Sequence, residues 1–259
     1  MRYTSDLSET EWNLVSYCFP KPSKRGRRRQ HPYRELLNAI FYLTKTGCQW
    51  RNIPAHFACW PTVYHYFRLW KKNGLWEAIH THLREFVRLL QGRKRNPSAA
   101  IIDSQSVKSS ETSDERGYDA GKKINGRKRH ILVDTMGLLL KVMVLPANLQ
   151  DRDGAKPLLR AFFARAPRRR VKHIWADGGY TGRLLEWSRK LWRCTIEIVK
   201  RTELHTFKVL PRRWVVERTF GWLGRYRRLS RDYERQAKTG ETIVYLAMIR
   251  LMLARLARN

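Results

Sequence analysis

The segment KRHILVDTMGLLLKVMVL, residues 128–145, carries two apolar arms joined around Asp134-Thr135-Met136-Gly137. This pattern predicts a β-hairpin. Its neighbours narrow the fold class. AAIIDSQSVK before it reads as a strand, and LQDRDGAKPLLRAFFARA after it as a helix capped by Asp151 or Asp153. VKHIWAD then reads as a strand, TGRLLEWSRKLW as a helix, TIEIVK as a strand and RRWVVERTFGWLGRYRR as a helix. A strongly apolar helix, TGETIVYLAMIRLMLARLARN, follows. Its stripe of Ile243, Leu246, Ile249 and Leu253 suits core packing better than an interface. Strand, hairpin, helix, strand, helix, strand, helix predicts an α/β fold around a mixed sheet. Residues 109–125 have no period and read as a surface loop.

The first third is different. Ser8 with Glu11 three residues on forms a capping box ahead of a helix, with Leu7 and Trp12 as its hydrophobic staple. YRELLNAIFYLTKTG is a helix stopping at Gly47, WPTVYHYFRLWKKNG one opened by Pro61 and closed by Gly74, and WEAIHTHLREFVRLLQG one ending at Gly92. Short helices with basic faces predict a small helix-turn-helix-like DNA-binding domain over 1–92. The helix over 61–73 would face a groove with His65, Arg68, Lys71 and Lys72, and 21–30 would form a basic arm. GRKRNPS supplies a linker at 93–98, and 99–259 forms the second domain.

Lys and Arg number 53 against 22 Asp and Glu, a net charge of +31, which implies a polyanionic partner, most commonly nucleic acid. A membrane is the rival, but no run approaches the ~18 apolar residues of a spanning helix. The N-terminal stretch lacks an apolar signal core, so a cytoplasmic protein is expected. At 42% hydrophobic residues the chain can bury a core. Cys18, Cys48, Cys59 and Cys194 are scattered, without the spacing of a zinc site.

Most acids sit at helix starts, in the loop or on solvent faces. Three do not. Asp103 follows Ile101-Ile102 inside a strand, Asp177 ends His173-Ile174-Trp175-Ala176 before Gly178-Gly179, and Glu217 follows Val215-Val216 in a helix. A carboxylate in apolar surroundings is costly unless it is paired or metal-bound. Taken singly, each suits an ion pair with one of the many arginines. Taken together, in a chain that must manage phosphates, they suit a hard divalent cation, Mg²⁺ with Mn²⁺ as a substitute. Two such ions can serve both the attacking and the leaving oxygen of a phosphodiester displacement. On a helix, Arg213, Gly221, Gly224 and Arg228 share the face of Glu217, and the two glycines leave room beside it.

IIDSQSVK, WADGGYTG and RWVVERTFGWL resemble the three acid-bearing motifs of bacterial insertion-sequence DDE transposases of the IS-four/IS-five superfamily, IS-five-like members in particular. LSETEWNLV, NAIFYLTKTGCQWRNIP and TVYHYFRLWKKNGLWE resemble that family's helical DNA-binding region, and GRKRHILVDTMGLLL and VLPANLQDRDGAKPLL resemble further family blocks. The resemblance implies a ribonuclease-H-like core, Mg²⁺-dependent cleavage at transposon ends and strand transfer into target DNA. It makes Asp103, Asp177 and Glu217 the catalytic, metal-binding triad. It also implies a homodimer on double-stranded DNA, bearing terminal inverted repeats and target sequence, in a bacterial nucleoid. The basic residues expected to meet DNA are Arg27, Arg28, Arg29, His65, Arg68, Lys71, Lys108, Lys122, Lys123, Arg127, Arg129, Arg213, Arg227 and Arg228. Where relatives place Tyr and Lys around the last acid, this chain has Leu210 and Gly224. The alternatives are a metal-dependent endonuclease without strand transfer and a non-catalytic DNA-binding regulator.

Overall fold

The computed structural model describes residues 3–21, 29–164, 170–199 and 211–258. The capping box opens helix α1 (Glu9–Asn13): Ser8 Oγ accepts from the Glu11 N–H at 3.1 Å, and the Ser8 N–H donates to Glu11 Oε2 at 2.9 Å. Helices α2 (Tyr33–Thr46), α3 (Trp60–Lys72) and α4 (Leu75–Leu90) follow where the apolar periodicity placed them. Gly47 ends α2 at φ +75°, a left-handed stop that glycine adopts without strain.

The second part holds a six-stranded mixed sheet. Strands β1 (Ala99–Lys108), β3 (Ile124–Asp134) and β4 (Leu139–Pro146) are antiparallel, β3 and β4 being the two arms of the expected hairpin. Strands β5 (His173–Ala176) and β6 (Thr195–Ile198) add to the other edge of β1 in parallel, after helices α5 (Asp151–Ala164) and α6 (Arg183–Trp192). The spatial order is β4-β3-β1-β5-β6. Strand β2 (Gly117–Asp119), inside the stretch expected to be loop, pairs with the start of β3. Its three residues are too few to show a period.

Two apolar layers cover the sheet. Ile102, Leu132 and Ile174 face Leu158, Phe162 and Leu184 of α5 and α6. Ile101, Ile131 and Val142 face α7 (Pro211–Gly224) and α8 (Ala237–Leu256). Helix α8 is buried along most of its length, so Ile243, Leu246, Ile249 and Leu253 are core, as the stripe suggested. That second layer continues through α8 into α2, α3 and α4, giving the N-terminal helices and one sheet face a single apolar core. Each large side chain buried there stabilises the fold by about 1.5–3 kcal/mol.

Polar pins fix the layers. Arg88 of α4 pairs with Asp134, which is fully buried and also accepts from the N–H groups of Met136 and Leu138, both at 2.9 Å. Asp134 is thus more than a turn residue: it ties α4 to the hairpin. The turn then meets α7, where the Thr219 hydroxyl donates to Gly137 O at 2.9 Å. Gly137 has φ +81°, and a Cβ there would stand 2.8 Å from Thr219 Oγ1, so the turn needs glycine on both counts.

Three arginines expected at DNA point inward instead. Arg127 donates to the carbonyls of Glu234 at 2.8 Å and Arg235 at 2.6 Å and pairs with Asp232 at 3.4 Å. Arg129 holds the carbonyls of Leu229 and Arg231, and Arg228 holds Glu234 Oε1 at 2.7 Å and Cys48 O at 3.0 Å. All three are buried. Residues 229–235 have little regular structure of their own, and Arg127 and Arg129 satisfy their carbonyls from β3, while Arg228 joins the Glu234 carboxylate to Cys48 O. No helix among the described residues is long and apolar enough to cross a membrane.

Candidate active site

Side chains alternate along β1, so Asp103 shares the α7 face with Ile101 while Ser104 shares the α5 face with Ile102. Ile101 is level with Trp175 of parallel β5. Running that register on by two residues brings Asp103 level with Asp177, just beyond the carboxyl end of β5. Open α/β sheets present ligand sites at such strand ends. The Ser104 N–H donates to Asp103 Oδ1 at 2.7 Å. Burial, and next to it the charge of Asp177, nevertheless push the Asp103 carboxyl up to about 7 from an ordinary 3.8, against the pull of that N–H, Lys122 and Arg213.

Asp177 caps the short 3-10 turn Gly178–Tyr180, accepting from the Gly179 N–H at 2.9 Å. Gly178 is exposed, and a Cβ there would meet nothing within 4 Å, which leaves the backbone open to a phosphate. Helix α7 packs over β1 and β5 through Val216 and Leu223, both buried. Glu217 is on its outer side, 55% exposed, 3.7 Å from Arg213 Nη2. Gly221 and Gly224 are also exposed, with open space where a Cβ would sit. Arg228 does not share that face, because α7 ends at Gly224 and Arg228 lies in the following 3-10 turn, Arg227–Leu229.

Asp103 and Asp177 therefore adjoin, and Glu217 rides on the helix that crosses their strands. Among the described residues no three carboxylate, imidazole or thiol side chains form a ready-made metal cage. The donor chemistry of the pair still fits a hard divalent cation. A carboxylate at the middle of β1 stands level with one at the end of β5, and the more enclosed of the two is destabilised as an anion until a positive charge joins it.

Asp151, which ordinary helix capping would explain, has a further role. Its Oδ1 accepts from Ser104 Oγ at 2.7 Å and Lys128 Nζ at 3.0 Å. Its Oδ2 lies 3.3 Å from where a Cβ of Gly179 would stand, and Asp177 Oδ1 lies 3.1 Å from the same point. Asp151 thus links the strand of Asp103 to the turn of Asp177. Beneath it His130 is fully buried, its imidazole pushed down to about 4 chiefly by that burial. Tyr180 is buried too, its phenol raised well above the usual range by burial first and then by Asp103, Asp151 and Asp177. Polar residues at alternate strand positions (Ser104 and Ser106, Lys128 and His130) were the sequence signal for this layer.

Lys122 and Lys123 are exposed in the turn between β2 and β3, Lys123 at φ +53°, and the charge of Lys122 reaches Asp103. Lys108 and Arg227 are exposed and Arg213 half-buried. Arg29 is exposed with its guanidinium 3.6 Å over the Tyr33 ring. Arg27, Arg28 and Leu210 lie outside the described residues. His65, Arg68 and Lys71 line a separate cleft beside α3.

Residues 94–252 match the family model described as transposase DDE domain, and residues 7–80 match one described as putative transposase of the IS4/5 family. The chain is 29% identical over 126 residues to an uncharacterized 16.2 kDa protein of insertion element IS402 from Burkholderia cepacia, covering 46% of this chain and 78% of that one. It is 35% identical over 119 residues to a putative transposase for insertion sequence element IS402 from the same organism, covering 43% of this chain and 56% of that relative. A crystal structure of the Mos1 strand transfer complex aligns with a TM-score of 0.33 at 12% identity, over 92% of this chain and 79% of the other. The chain belongs to the transposase DDE domain family of the IS4/IS5 type.

Proposed function

We propose that this member of the DDE transposase family binds the ends of an insertion sequence, cuts phosphodiester bonds there and joins the freed ends to target DNA. The observation that carries the proposal is the adjoining Asp103–Asp177 pair, with the Asp103 carboxyl pushed up to about 7 in a basic surround. The order β4-β3-β1-β5-β6, antiparallel then parallel, supports a ribonuclease-H-like core with the pair where β5 ends beside the middle of β1.

Asp103, Asp177 and Glu217 are the residues that would hold Mg²⁺ or Mn²⁺, which when bound supplies activation of the attacking oxygen and stabilisation of the leaving one. The chain's own groups do the rest. Gly178 opens the backbone to the DNA strand, and Arg213 and Lys122 offer positive charge to phosphate beside Asp103. Lys108, Lys123 and Arg227 add exposed cations for the flanking duplex. The helical part, 1–92, the linker, 93–98, and the sheet part, 99–259, act as one unit on DNA. A dimer holds two ends together.

The test is incubation of the protein with Mg²⁺ and DNA flanking its own gene, followed by mapping of the nicked and joined strands. Nicks at the element's ends with joined products are expected. Asp103→Asn abolishes both while duplex affinity persists. Nicking without joining would leave an endonuclease. Equal loss of binding in Asp103→Asn would make Asp103 structural.

A further inference from the structure

A cleft of about 1440 Å³ opens between α3 and residues 228–242. Pockets for small ligands span about 300–1,000 Å³, so this one suits a length of polymer. Its rim carries aromatic rings, each with a cation above it. Arg51 lies 5.6 Å from the Trp60 ring centre, Arg68 5.8 Å from Tyr64 and Arg228 5.7 Å from Tyr233. Tyr233 is 41% exposed and Trp60 and Tyr64 are half-buried, so part of each ring is open to solvent beside its guanidinium. Lys71 spans the cleft, donating to Thr239 Oγ1 at 2.9 Å and Gln236 Oε1 at 3.4 Å. Arg68 and Lys72 are exposed on its α3 wall.

We infer that this cleft binds an unpaired DNA strand, its phosphates on Arg68 and Lys72 and its bases stacked on Trp60 and Tyr233. Duplex DNA offers phosphates and groove edges, which call for cations and polar groups on an open face. Bases inside a duplex cannot stack on a protein ring. Rings alternating with cations in a concave groove are what a single strand uses. The face of α3 that carries His65, Arg68, Lys71 and Lys72 lines this cleft. The exposed Arg68 and Lys72 and the bridging Lys71 favour an anionic occupant of this wall. The inference rests on the chain being a DNA-acting protein, but it needs no catalysis.

The test is fluorescence anisotropy of a labelled oligothymidine and of a hairpin duplex of equal length, against the full chain and its Tyr233→Ala, Tyr233→Phe and Trp60→Ala variants. Stacking is worth about 1–3 kcal/mol per base, or roughly 5- to 150-fold in affinity. Each Ala variant should therefore weaken oligothymidine binding at least about fivefold and duplex binding less than about twofold, with Tyr233→Phe retaining affinity. Trp60→Ala disturbs a packed helix start, so the Tyr233 pair decides the matter if that variant unfolds. Equal loss on both DNAs, or unchanged oligothymidine binding in Tyr233→Ala, overturns the inference. A salt-independent self-association that Tyr233→Ala abolishes, with oligothymidine binding intact, would assign the cleft to a second copy and overturn it as well. Absent nicking with oligothymidine binding lost in Tyr233→Ala would sink the transposase reading and leave the cleft standing.

Discussion

Replacing Asp103 by Asn should stabilise the metal-free chain while destroying its proposed activity. Burial and Asp177 raise the Asp103 carboxyl from 3.8 to about 7. An acid whose folded value exceeds its unfolded one contributes nothing below about pH 4, a growing penalty between the two values, and the full penalty above the folded one. At about 1.4 kcal/mol per pH unit of displacement, the ionised carboxylate destabilises the fold by about 4 kcal/mol at high pH. The amide keeps an oxygen for the Ser104 N–H but buries unpaired N–H groups, an opposing constant of about 1–3 kcal/mol. That constant cancels when the two proteins are compared across pH. Urea unfolding in EDTA should show the advantage of Asp103→Asn growing by about 2 kcal/mol from about pH 5.5 to about pH 8.5. Adding Mg²⁺ should stabilise the parent chain and not the variant, since a ligand stabilises only the state that binds it. A difference that is flat in pH, or an advantage that shrinks as pH rises, would refute the burial of a strained carboxylate here.

Gly154→Ala would place a Cβ 2.2 Å from His130 Cε1 in a site with no exposure. Overpacking of about 3 kcal/mol, less about 1 kcal/mol of helix propensity, predicts a net loss of about 2 kcal/mol by urea unfolding; a stabilised variant would show that α5 sits away from His130. Arg88→Ala strands the buried Asp134 carboxylate and should cost about 3–5 kcal/mol in the same assay. Gly221→Leu and Gly224→Leu point into open space beside Glu217, so both should fold normally, gain roughly 0.5–1 kcal/mol from helix propensity and lose DNA nicking; a loss of thermal stability would mean that these glycines serve packing. Duplex affinity should fall steeply with salt, by roughly 10³- to 10⁵-fold between about 50 and 200 mM if six to ten phosphates are held, in a titration followed by anisotropy.

Much of the fold was legible because it follows local rules. Ser8 and Glu11 announced α1, Gly47 and Pro61 bounded α2 and α3, and the two arms about Asp134 announced β3 and β4. The adjacency of Asp103 and Asp177 was half legible: residue type and strand position are in the sequence, but register between strands whose paired residues are 74 positions apart is a tertiary outcome. Asp151 does stand at a helix start, as expected, but its link to Ser104 and Lys128 was not legible because only the fold brings them to it. Arg127, Arg129 and Arg228 failed for the same reason. A guanidinium in a basic sequence looks solvent-facing until the fold brings acceptors to it, the carbonyls of 229–235 for Arg127 and Arg129, and Glu234 Oε1 and Cys48 O for Arg228.

Those inward arginines change what the net charge means. The buried acids are mostly matched by cations: Asp134 by Arg88, Asp232 by Arg127, Glu234 by Arg228 and Glu11 by Arg250. Each such pair is neutral and hidden, so it subtracts nothing from the +31 but removes an acid from the surface. The outside is therefore more purely cationic than the composition alone conveys. Against that field, an acid that keeps an open position is conspicuous. Glu217 has Arg213 at 3.7 Å, too far for a tight bond, and remains more than half exposed. Its neighbours on the outer face are glycines with space around them. An exposed i,i+4 pair at that distance contributes little to stability, so neutralising Arg213 does not by itself account for the acid. Glu217 is carried on α7, the helix packed over β1 and β5, where it is open to the role of third ligand proposed for it.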